Sequence, residues 1–139
     1  MALHLKKLCV GIDSLEGLSA WQNMRAEVHA SGGKTVRHIT RNVPKRTVEL
    51  LSGGSLYWVI KGRILARNTI AAIDVLEDED GKRMCAIVLN VPFVPVWAEP
   101  HRPFQGWRYL QEEAAPEDRE GGDDLPIDLA TDLKGLGLL

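Results

Sequence analysis

Residues 53–63, Gly-Gly-Ser-Leu-Tyr-Trp-Val-Ile-Lys-Gly-Arg, constrain the fold of this chain more than any other stretch. The glycine pair ends what precedes it, because glycine takes backbone conformations that other residues avoid. A strand rich in aromatic and β-branched side chains follows. Leu56, Trp58 and Ile60 share one face of it and Tyr57, Val59 and Lys61 the other. A strand apolar in both phases needs partners, so the segments around it are read for what pairs with it.

Downstream, Arg63 to Glu77 reads as a long strand whose apolar phase shifts near Ala71-Ala72, the mark of a bulge or bend. Asp80-Gly81 is a hairpin signal. Lys82 to Asn90 is apolar on both faces, as a central strand would be. Val91 to Val96 contains Pro92 and Pro95 and is at best an edge strand. Phe104 to Leu110 reads as a short closing strand. Upstream, Leu3, Leu5, Leu8 and Val10 suggest a first strand, imperfectly alternating. Asp13 with Glu16 predicts the N-cap of a helix over residues 14–30, with Trp21 and Met24 expected in the core. Lys34 to Asn42 alternates as a strand with a basic edge, and Pro44 opens a short helix through Leu51.

Charge is unevenly divided. Residues 1–110 hold 15 Lys/Arg against 10 Asp/Glu, and residues 111–139 hold 2 against 9, so a net charge of −2 hides a basic body and an acidic tail. Accordingly, one α+β domain is expected over 1–110. Over 111–139 we expect an acidic, flexible tail, with a short terminal helix at Leu125, Leu129, Leu133 and Leu136. The 139 residues suffice for a core without staples. Met1 to Ile12 carries His4, Lys6 and Lys7 inside its apolar pattern, so no secretory leader is expected, and no run is long enough to span a membrane. Cys9 and Cys85 lie in apolar strands, which predicts reduced core thiols in a cytoplasmic protein. No Cys/His spacing suggests a metal, and no phosphate loop, nucleophile elbow or dinucleotide fingerprint is present. No catalytic set, metal or cofactor is therefore expected.

Two constellations carry the functional expectation. Lys34, Arg37, Arg41, Lys45, Arg46, Lys61, Arg63 and Arg67 face a single acid, Glu49, within residues 34–67. Such groups meet phosphate oxygens, and neighbouring aromatics add base stacking. Arg37, Arg41, Lys61, Arg63 and Arg67 are the expected phosphate contacts. The second is His101 to Leu110, with three aromatics, two arginines and Gln105. With Trp58, its Gln105, Trp107 and Arg108 are the expected lining of a base pocket. Lys61 beside Trp58 becomes an activated amine if the fold buries it. His38, among arginines, is expected to titrate low.

The strings Leu8-Cys9-Val10-Gly11, Gly54 to Gly62 and Arg102 to Leu110 resemble a bacterial domain-of-unknown-function family of about this length, which implies no function. More distantly, the order of short helix, glycine turn, Lys-Gly-Arg, long hairpin and closing strand looks like the PUA-like superfamily of PUA, ASCH and EVE domains. That resemblance implies a small PUA-like β-barrel with flanking helices that binds RNA or a modified nucleobase. The leading expectation is such a binding module, not an enzyme. A small hydrolase or transferase acting on a modified nucleoside, and an assembly domain using the C-terminal leucines, are the alternatives.

Overall fold

The computed structural model describes residues 2–119. The terminal leucines and their expected helix lie outside the described residues. Strands β1 (Leu3–Leu8), β2 (Glu27–Val28), β3 (Lys34–Thr40), β4 (Ser55–Ile60), β5 (Arg63–Glu77), β6 (Arg83–Val91), β7 (Val94–Pro100) and β8 (Trp107–Gln111) form one sheet. Helices α1 (Leu15–Arg25) and α2 (Thr47–Leu51) accompany it. None of the described helices is long and apolar enough to cross a membrane.

The sheet turns about β5. Its first half pairs with β4 and with β7, and its second half pairs with β6, which carries β3 and the two-residue β2. The register slips between Ile70 and Ala72. This is the bulge expected from the phase shift, and it lets one strand serve two halves of a bent sheet. Asp78 Oδ1 accepts from the backbone N–H of Asp80 and Lys82 and fixes the β5–β6 turn. On the other flank, β4 pairs parallel with β1, and β1 antiparallel with β8.

Every residue of β4 is buried, because apolar clusters cover both of its faces. Leu56, Trp58 and Ile60 join Leu3, Leu5, Val36 and Leu89 beneath α1 and α2, while Tyr57 and Val59 meet Ile64, Val96 and Leu110 on the reverse. Gly53, at φ +98°, ends α2, and Gly54 threads between α2 and β1.

The expected closed barrel does not form. The sheet is open, running β2-β3-β6-β5-β4-β1-β8, with β2 and β8 at its ends. Closure would require β8 to pair with the β2–β3 end, and side chains occupy that gap instead. Trp107 Nε1–H donates to the Asn42 carbonyl at 2.9 Å, and Tyr109 Oη accepts from the N–H of Lys45 at 3.0 Å and of Arg46 at 3.2 Å. Two aromatics thus hold the basic loop after β3 against the last strand.

Three further expectations shift. Helix α1 ends at Arg25 rather than 30, and its cap is Ser14, whose Oγ accepts from Gly17 N–H at 3.0 Å. Met24 is 79% exposed, not core. Residues 111–119, acidic in composition, lie against the sheet. Arg67 makes a bidentate pair with Asp118 at 2.8 Å through both bonds, Glu112 meets His4, and Val96 bridges Asp118. Composition alone suggested flexibility here, but each of these two acids has a cationic or imidazole partner waiting on the sheet.

Candidate functional site

Where β1 and β3 face each other without pairing, the open sheet leaves a cavity of about 310 Å³. Lys7 and Cys9 of the β1 end, Trp58 of β4, His38 of β3 and Trp21 of α1 line it, with Val10 (80% exposed) and Ile39 (43% exposed) at its mouth. Alternation sends Leu3, Leu5 and Lys7 to the inner face, so a lysine occupies the position where the apolar phase would continue. Directly across from Lys7 stand Trp58 on β4 and Trp107 on β8.

The aromatic wall is held from behind. Trp58, 1% exposed, donates its Nε1–H to Asn68 Oδ1 at 2.9 Å, and Gln22 Nε2 donates to the same oxygen at 2.8 Å. Asn68 Nδ2 in turn donates to Gln22 Oε1 at 3.2 Å and to the Asn90 carbonyl at 2.9 Å. This buried network sets the indole plane. Trp21, His38 and Trp58 then meet edge to face, with centroid distances of 6.5 Å for Trp21–His38, 6.4 Å for Trp21–Trp58 and 5.2 Å for His38–Trp58.

Titration follows burial. Desolvation, and secondly Lys7, push His38 down from 6.5 to about 4, so its ring is neutral near pH 7, and its buried Nε2 has no hydrogen-bond partner among the described residues. Burial also lowers Lys7 from its ordinary value and raises Cys9 to about 12, leaving a thiol rather than a thiolate.

His38 makes stability depend on pH. Between its unfolded value of 6.5 and its folded value of about 4, the unfolded chain binds a proton that the folded chain refuses. Stability therefore falls as pH drops through that window, by on the order of 3 kcal/mol before solvent reaching the ring is discounted. In urea denaturation, His38→Phe is expected to lose less stability than the parent between neutral pH and the low end of the window. Parallel losses would show that the ring carries its proton in the fold.

Of the expected base-pocket residues, only Trp58 lines this cavity. Trp107 shares its face but packs on Tyr109 at 5.0 Å and ties the loop at Asn42. Arg108 points to the opposite face, 5.6 Å over the Phe104 ring, and Gln105 is exposed in the loop before β8.

The basic residues are dispersed. Arg37 lies exposed on the outer face of β3 and Arg41 just beyond its end. Lys61 (φ 49°) and Gly62 (φ 78°) are the two central residues of the β4–β5 hairpin turn, the geometry of a type I′ turn. Lys61 is exposed, so the condition for an activated amine is not met there; the half-buried amine is Lys7. Arg63 opens β5, and Arg67 is engaged by Asp118 and by Ser55 Oγ at 2.9 Å.

Sequence reasoning placed neither Lys7 nor His38 in the pocket. The one available signal was Lys7 falling in step with Leu3, Leu5 and Cys9, masked by the competing phase of Leu8 and Val10.

A family model described as a protein of unknown function (DUF1489) matches residues 5–139. No curated protein and no solved structure matches the chain.

Proposed function

The chain belongs to the DUF1489 family of unknown function, and we propose that it is a binding module whose cavity takes a planar ring of nucleobase size. The observation that carries this reading is a cavity walled by Trp21, Trp58 and His38, with Lys7 as its cationic group and a neutral imidazole nitrogen that lacks a partner among the described residues. Small-molecule sites combine apolar aromatic walls with a few polar groups that orient the ligand, and these residues supply both.

Where the ring belongs to RNA or a modified nucleotide, the exposed Arg37, Arg41 and Lys61 are the groups offered to phosphate. Arg67, held by Asp118, contributes less than its position in the sequence suggested. This task agrees with what the PUA-like resemblance implies, carried out on an open sheet.

Binding is tested on the full chain by quenching of tryptophan fluorescence with nucleobases, nucleosides and short RNA. Trp21 forms a half-buried wall that can be shortened without opening the core. Trp21→Leu is expected to weaken binding about tenfold, within the ~1–3 kcal/mol that stacking on an aromatic contributes. If no heterocycle or RNA binds at millimolar concentration, or if Trp21→Leu leaves affinity unchanged, the cavity is not the site.

A further inference from the structure

The same cavity has a charge character that narrows its ligand. Lys7 is its cationic group, and among the described residues no carboxylate lines it. Among the described residues no acid pairs with Lys7, whereas in the polar cavity of about 480 Å³ on the opposite face both basic groups have acidic partners, His4 with Glu112 and Arg67 with Asp118.

Each described neighbour around Lys7 leaves its charge unanswered. Cys9, just beyond β1, is a thiol, His38 on β3 is neutral, and Trp58 on β4 and Trp107 on β8 are apolar. Trp21 on α1 carries Arg25 at 5.7 Å from its ring, which adds positive charge near the mouth. The strand face holds Lys7 turned inward, with its partners across the strands only ~4.8 Å away. An ammonium half removed from water without an anion is costly, and a ligand that supplies the anion removes that cost.

We propose that the cavity binds a planar ring bearing a negative charge on its edge, with Lys7 Nζ as counter-ion and the His38 imidazole as a hydrogen-bond partner beside it. This inference rests on the binding reading above and names its ligand class. The ring lies against the aromatic wall that Trp21 and Trp58 form together, and its anionic edge points to the β1 wall. A neutral ring of the same shape gains the apolar contact but leaves the ammonium unpaired. Selectivity therefore comes from Lys7 and affinity for the ring from the aromatics.

The test compares matched probes on the full chain by isothermal titration: orotate against uracil, and benzoate against benzamide. Orotate is expected to bind about tenfold or more tightly than uracil, the range of one charge-assisted contact. Lys7→Met extends the apolar phase of β1. It is expected to bring the two to within about twofold of each other, and Lys7→Arg is expected to retain the preference. Benzoate preferred over benzamide shows that any aromatic anion suffices. Benzoate and benzamide both silent while orotate binds shows that the heterocycle is also read; either result supports the charge inference. Equal binding of orotate and uracil by the parent chain, or a preference that survives in Lys7→Met, overturns it while the cavity stands. No binding of any probe overturns the cavity reading itself. Unchanged thermal midpoints of the variants keep the comparison one of binding.

Discussion

Gly54→Ala is expected to destabilise the fold by about 3 kcal/mol or more, the range of a buried steric conflict that nothing nearby can relieve. A Cβ on Gly54 would stand 2.2 Å from the Leu3 carbonyl oxygen and 2.4 Å from that of Leu50. Both are backbone atoms, so no rotamer change makes room. The Gly54 N–H also donates to the Leu50 carbonyl at 2.9 Å, and its own carbonyl accepts from Ile70 N–H at 2.9 Å. Moving the residue therefore disturbs the end of α2, the start of β1 and the bend of β5 together.

The neighbouring glycine provides the contrast. Gly53 has open space around its missing Cβ and a φ of +98°. Gly53→Ala carries only the left-handed backbone penalty, about 1 kcal/mol. Urea denaturation of both variants separates the two causes. A Gly54→Ala midpoint close to that of Gly53→Ala would mean that the strand and helix can part, contrary to this geometry.

Asn68→Leu is expected to cost roughly 3–5 kcal/mol. Asn68 is 0% exposed, and its amide satisfies the Trp58 indole N–H, both ends of the Gln22 amide and the Asn90 carbonyl. Removing it leaves several buried polar groups unpaired, at ~1–3 kcal/mol each. The double change Asn68→Leu with Gln22→Leu is expected to recover part of the loss, because the unpaired amide of Gln22 goes with it. Denaturation of the single and double variants gives the coupling directly. Strict additivity would show that the two side chains are satisfied independently by water. Because the network sets the Trp58 plane, the single variant is also expected to shift tryptophan emission and weaken whatever the cavity binds.

Several features were legible in the chain because they are local. The bend of β5 follows from the phase change around Ala71-Ala72. The β5–β6 turn follows from Asp80-Gly81, and the central place of β4 from apolar residues in both phases of Leu56 to Ile60. The low titration expected of His38 also follows through, although burial rather than its arginine neighbours is the main cause.

Other expectations depended on which distant strands meet. By its sequence the closing strand carries pocket residues, Trp107 and Arg108. In the fold, Trp107 and Tyr109 spend their polar atoms on the loop of Asn42, Lys45 and Arg46, a contact across more than sixty positions of sequence. Lys61 had the composition of a site but sits in a hairpin turn, and Lys7, in a strand of uncertain phase, took the buried position.

The sequence by itself determined most of the strands, though not β2, where a helix was expected, together with the turns that join neighbours and the imbalance between a basic body and an acidic end, because periodicity and turn chemistry act over a few residues. Only the tertiary structure decided that the sheet stays open. It also brought Lys7, Trp21, His38 and Trp58, from four separate elements, around one cavity, and drew Glu112 and Asp118 back onto the sheet. Those outcomes depend on register between segments far apart in the chain, where a shift of one residue exchanges the two faces of a strand.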